Sequence, residues 1–100
     1  MITLEKDLER QLVRRVEAAG GMCLKWVCPG WDGVPDRIVL MPGGRIWFVE
    51  LKRPKGGRLS ERQLWWAEKL RALGFRHHLI HCDNNIDALM SEIKEGNYGG

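Results

Sequence analysis

The sequence predicts an α/β fold: an α/β/α sandwich with a small mixed central sheet, its elements in the order α-β-β-β-α-β-α. Three observations lead there. Residues 4–19 and 60–74 carry apolar side chains at helical spacing, with start and stop signals at their ends. The run "RIWFVEL" is apolar on both faces, Ile46 and Phe48 against Trp47, Val49 and Leu51, so its sheet is covered on both sides. A helix also separates the third and fourth strands, and a right-handed crossover through it makes those two strands parallel.

Thr3 caps a first helix reaching about residue 19, with Leu4, Leu8, Leu12, Val16 and Ala19 on its apolar stripe and Gly20 and Gly21 ending it. "MCLKWVC" at 22–28 reads as a strand and "PGWDGVP" as a loop. Strands follow at about 36–41 and 45–52, joined by "PGG". The basic loop "RPKGGR" leads into "SERQLWWAEKLRALG", where Ser60 and Gln63 have capping-box spacing and Gly74 marks the stop. "FRHHLIHC" is the last strand, and Asp83 or Asn85 opens a final helix reaching about residue 95. Residues 1–95 are expected to form one domain, and 96–100 a flexible tail.

With 44% hydrophobic and 29% charged residues, the chain falls in the globular class rather than the disordered or fibrous ones. A net charge of +3 leans toward polyanionic partners. No apolar run approaches the roughly 20 residues of a membrane span, and the charged opening "MITLEKDLERQ" does not read as a secretion signal. Cys23, Cys28 and Cys82 are odd in number and lack paired CxxC spacing, so they are expected as reduced thiols in an intracellular, cytoplasmic protein.

The chemistry concentrates in the hairpin. A three-residue "PGG" loop, read as a type I turn plus a left-handed residue, sets Met41 opposite Arg45, Leu40 opposite Ile46, Ile38 opposite Phe48 and Asp36 opposite Glu50. Lys52 then shares the Glu50 face, while Leu51 points away. A two-residue turn would instead put Asp36 on the far face. Two carboxylates so close repel unless a cation lies between them. A hard ion such as Mg²⁺ resolves this, and with Lys52 beside it the set suits metal-assisted hydrolysis of a phosphodiester.

"GVPD" followed by "ELK" in a strand resembles the PD-(D/E)xK nuclease superfamily. "GVPDRIVLMPGGRIWFVELKRP" with "RLSERQLWWAEKLRALGF" looks more narrowly like the virus-type replication-repair nuclease family (VRR-NUC), in its small stand-alone form met in phages, over about residues 9–79. The resemblance implies Asp36, Glu50 and the Leu51 carbonyl as ligands of Mg²⁺ or Mn²⁺, and Lys52 as the catalytic lysine. It adds an acid from the first helix, favouring Glu9 with Glu5 as the fallback; on the helical wheel both fall within the apolar arc. It places Gln63 beside the lysine, whereas the local pattern makes Gln63 the capping-box glutamine.

Arg53, Lys55, Arg58 and Arg62 cluster beyond Lys52 and are the candidates for holding DNA phosphates. Lys6, Arg10 and Arg14 read as a wet helix face. Trp31 is a candidate to wedge or stack on an exposed base, while Trp26, Trp47, Trp65 and Trp66 are expected against the sheet. His77, His78 and His81 lack metal spacing and are expected as satisfied structural histidines. The implied function is a metal-dependent DNA endonuclease selective for branched DNA such as four-way junctions, acting as a homodimer. The alternatives are a non-catalytic DNA-binding module on the same fold and a sequence-specific restriction-type nuclease; the latter lacks any spare domain to read base edges.

Overall fold

The computed structural model describes residues 4–96. Its elements are α1 (Glu5–Ala18), β1 (Met22–Lys25), β2 (Arg37–Met41), β3 (Arg45–Leu51), α2 (Glu61–Ala72), β4 (Arg76–Ile80) and α3 (Asp83–Glu95). The sheet runs β1-β2-β3-β4. The pairs β1/β2 and β2/β3 are antiparallel, and β3/β4 is parallel across the α2 crossover.

The hairpin register is the one the turn length dictates: Met41 faces Arg45, Leu40 faces Ile46, Ile38 faces Phe48 and Arg37 faces Val49. The turn itself differs. Both Gly43 and Gly44 have positive φ, at 87° and 75°. A type I turn needs that only at the last residue. Pro42 followed by a left-handed Gly43 is the signature of type II, and loop length, not turn type, sets the pairing.

Odd-numbered residues of β3 face a core shared with α1 and α3. Trp47, Val49 and Leu51 pack there with Leu8, Leu12, Val16, Ile80, Ile86, Leu89 and Ile93. The Trp47 indole N–H is satisfied by Glu92 of α3. On the opposite face Phe48 meets Trp26 and Phe75, with ring centroids at 5.2 and 5.4 Å, under α2. Cover on this second face is uneven. α2 lies toward β4, and at the β1 edge Met22 and Leu24 remain exposed.

Several boundaries move. The expected Thr3 cap lies outside the described residues; Leu4 holds the N-cap position, its N–H donating to Asp7 Oδ2 at 3.3 Å. β1 stops at Lys25 instead of residue 28 because its partner β2 begins at Arg37; beyond the ladder only the Trp26 N–H reaches the Asp36 carbonyl, at 3.1 Å. β4 is shorter than expected at both ends, and α3 opens at Asp83. Of the expected tail, Gly96 is the left-handed C-cap of α3, and residues 97–100 lie outside the described residues.

Two side-chain expectations fail. Trp65 is exposed, because the inward face of α2 carries Gln63, Trp66, Ala67 and Leu70, and residue 65 is turned about 100° from residue 66. His77 is buried under α2 with neither ring nitrogen partnered among the described residues, and burial pushes its pKa down to about 4, so it stays neutral. His78 points to the other face and meets Glu92 at 3.1 Å, and His81 is exposed. All three cysteines are free thiols. No helix among the described residues is long and apolar enough to cross a membrane.

Candidate active site

Asp36 ends the loop that enters β2, one residue before the ladder begins, and its Oδ2 accepts the Leu51 N–H at 2.8 Å. That bond carries the hairpin register one step past the last ladder pair and holds the Asp36 carboxylate at the end of β3. Glu50 is fully buried on the α2 face. Its Oε1 accepts from Gln63 Nε2 at 3.2 Å, while among the described residues its Oε2 has no donor. The Asp36 carboxyl beside it is a second acceptor, so only a shared proton or a cation can join the two. Burial pushes the Glu50 pKa up to about 9, helped by the hydrogen bond that protonated Glu50 donates to Asp36 and by the Asp36 charge; Lys52 opposes the shift and Glu5 adds to it.

Gln63 closes the capping box of α2, and its side-chain amide also reaches Glu50. Its N–H donates to Ser60 Oγ at 3.1 Å, and its Oε1 accepts the Ser60 N–H at 2.8 Å, which closes the capping box. The remaining amide hydrogens are free to reach Glu50. The helix N-terminus therefore fixes the one donor that Glu50 has. Gly33 makes this approach possible: a Cβ there would stand 2.6 Å from Arg62 Cβ and 3.0 Å from Gln63 N, at a φ of 78°.

A cleft of about 310 Å³ opens beside the pair, lined by Glu5, Glu9, Asp36 and Leu51 together with Lys25, Trp26, Val27, Val34 and Pro35. The Leu51 side chain is in the core, which leaves its backbone carbonyl as the group it would offer a cation. Glu9 lies on the same wall but is ion-paired to Arg37 Nε at 2.8 Å, and Arg37 is anchored in turn on the Cys23 carbonyl at 3.0 Å. Among the described residues no group of three His, Cys, Asp or Glu side chains is arranged as a ligand set. The carboxylate pair nevertheless fits a hard divalent ion, through its orphaned buried oxygen and all-oxygen donors.

A second cleft of about 340 Å³ holds Lys52, Arg53, Gly56, Gly57 and Arg58, and shares Glu5 with the first. Gly57 is needed there, since a Cβ would come within 2.9 Å of Lys52 Cβ and 2.8 Å of the Arg53 carbonyl. Lys55 is exposed on the same loop. Arg62 stands apart, over the Trp65 ring. Lys6, Arg10 and Arg14 are exposed on α1 as a solvated face. Sequence reasoning missed Arg37, whose signal was only its place beside Asp36 in "PDR", and the link of Glu5 to both clefts.

No family model matches the chain. A solved structure described as "VRR_NUC domain" superimposes with a TM-score of 0.82 at 31% identity, over 87% of this chain and 94% of that one. The "Putative nuclease p44" of Acyrthosiphon pisum secondary endosymbiont phage 1 is 44% identical over 80 residues, 80% of this chain and 83% of the relative. The chain belongs to the VRR-NUC nuclease family. In this VRR-NUC domain the mixed four-stranded sheet with flanking helices is the fold of the solved neighbour, and the small phage-type form is the one its phage relative shares.

Proposed function

We propose that the protein is a divalent-metal-dependent DNA endonuclease that prefers branched DNA, including four-way junctions. One observation carries this reading: Glu50 Oε2 is buried without a donor against a second carboxylate. Such a buried pair needs a proton or a cation between its members, and a hard divalent ion meets both carboxylates at once.

Asp36, Glu50 and the Leu51 carbonyl would hold Mg²⁺ or Mn²⁺, with Glu5 or Glu9 facing it from α1. For Glu9 this requires release from Arg37. A bound ion would neutralise the carboxylates and polarise a phosphoryl oxygen. Leu51 N–H holds Asp36, and Gln63 holds Glu50 through Oε1. Lys52, whose charge is felt at Glu50, would orient an attacking water or balance phosphate charge. Arg53, Lys55 and Arg58 extend the positive surface for neighbouring phosphates.

The described residues form one such site and offer little surface for a junction. Paired cuts on both strands then require a homodimer. The experiment is incubation of the purified protein with labelled linear, flapped and four-way-junction DNA in Mg²⁺, Mn²⁺ or EDTA. Cleavage only with metal, and faster on branched DNA, supports the reading; cleavage of none of the three with either metal overturns it.

A further inference from the structure

Two of the five tryptophans stay on the surface, and they lie against each other. Trp31, in the loop ahead of Asp36, is 52% exposed, and Trp65, on α2, is 41% exposed. Their rings are within 16° of parallel with centroids 6.4 Å apart. The Arg62 guanidinium sits 5.4 Å from the Trp65 ring centre. Large aromatic surface left in water at adjacent positions marks a binding surface.

This surface is fixed from beneath. The Trp66 ring packs edge-on against both Trp31 and Trp65, with centroids at 5.6 and 5.3 Å, and its Nε1 donates to the Asp32 carbonyl at 2.9 Å. Gly33 lets the same loop close onto Arg62 and Gln63. The loop that carries Trp31 ends in Asp36, and the helix that carries Trp65 supplies Gln63 to Glu50. The two rings therefore share both of their supporting elements with the carboxylate pair.

An apolar protein partner would cover the Arg62 charge without compensating it. A nucleotide meets both features, its base offering a π face to the rings and its phosphate an anion to the guanidinium. In continuous duplex every base face is already stacked on a neighbour, so only an unpaired or splayed nucleotide can use the rings. We propose that Trp31 and Trp65, with Arg62, form a stacking platform for an unpaired nucleobase beside the carboxylate site. This rests on the DNA-nuclease reading and gives it a physical basis for preferring branched over continuous DNA.

The test measures binding by fluorescence anisotropy in EDTA, using flapped DNA whose unpaired nucleotides at the branch are either thymidines or abasic residues. In the wild-type protein the abasic substitution is expected to weaken binding about tenfold, the scale of losing one stacked base. The double variant Trp31→Ala/Trp65→Ala should bind both DNAs equally, at the level of the wild type on abasic DNA. Trp31→Phe/Trp65→Phe should recover most of the discrimination, and Trp65→Ala alone serves if melting curves show the double variant unfolded. Equal wild-type affinity for the two DNAs overturns the platform, as does discrimination that survives in the alanine variant. A wild-type dimer that the alanine variant splits on sedimentation, with no base dependence, makes the surface an interface between copies and also overturns it. A wild type that cleaves but does not discriminate sinks the platform alone, whereas discrimination without any metal-dependent cleavage sinks the nuclease reading alone.

Discussion

Glu50 lies buried next to the Asp36 carboxyl, its Oε1 held by Gln63 at 3.2 Å and its Oε2 without a donor among the described residues. One oxygen of the buried acid is thus committed to the helix cap and the other is left for a cation or a proton. Without metal the proton wins, because burial and the neighbouring charge raise the Glu50 pKa from 4.5 to about 9.

That shift makes stability depend on pH in a stated direction. Below pH 4.5 the carboxyl is protonated in both folded and unfolded chains and has no effect. Between pH 4.5 and about 9 the folded state binds a proton that the unfolded state has released, so stability falls as pH rises through this window. The expected loss is on the order of a few kcal/mol. Glu50→Gln removes the titration and gives Asp36 an N–H donor. Melting curves in EDTA should show the variant more stable than wild type at pH 8, with a smaller difference at pH 5. Mg²⁺ should raise the wild-type midpoint at pH 8 and leave that of Glu50→Gln unchanged; equal Mg²⁺ responses would count against the site.

Asp36→Asn keeps volume and can still accept the Leu51 N–H through its amide oxygen, but removes the charge. Cleavage of branched DNA with Mg²⁺ should fall by about a hundredfold or more, with binding in EDTA retained or improved. Lys52→Ala should lose comparable activity while keeping the Mg²⁺-induced rise in melting temperature. A near wild-type cutting rate for Asp36→Asn refutes the assignment.

How much of this was legible in the sequence differs from residue to residue. The convergence of Asp36 on Glu50 follows from parity: the length of "PGG" fixes which residues share a face, and it held although the turn type did not. Capping by Ser60 and Gln63 is a local signal, and it too was readable. The Glu9–Arg37 pair was not, because it depends on how α1 lies across the sheet, which no local pattern encodes. Trp65 and Trp66 are adjacent in sequence, so their different fates hang on the helix rotation set by Ala67 and Leu70. His77 has the period of a strand residue, but its burial comes from α2 packed over β4, and composition alone gives no sign of that.

The two roles of Gln63 can be separated. Gln63→Glu keeps an acceptor for the Ser60 N–H and suits the capping box, yet it removes the donor to Glu50 and sets a third carboxyl against it. Ser60→Ala does the reverse, giving up the cap hydroxyl and about 1 kcal/mol of stability while leaving the amide donor in place. Cleavage should therefore drop at least about tenfold in Gln63→Glu and remain within about twofold of wild type in Ser60→Ala, although denaturant melts should show Ser60→Ala to have lost the stability of its cap. Equal activity in the two variants would make Gln63 a cap residue only.

Arg53 and Arg58 share a cleft with Lys52, and Lys55 extends from the same loop, so their charges should act on backbone phosphates without regard to sequence. Every phosphate that goes unneutralised lowers the slope of log affinity against log salt by about 0.9 on duplex DNA. Replacing Arg53, Lys55 and Arg58 with Ala is expected to weaken binding to unrelated sequences by similar factors and to flatten the salt dependence accordingly. A sequence-dependent weakening, or an unchanged slope, would move the DNA path elsewhere on the surface. The same titrations run in an analytical ultracentrifuge decide the assembly: paired cutting of a four-way junction requires two copies per junction, related by symmetry. A complex with a single copy that still cleaves would make the protein a nicking enzyme, with one strand cut per encounter and the second cut made only after rebinding.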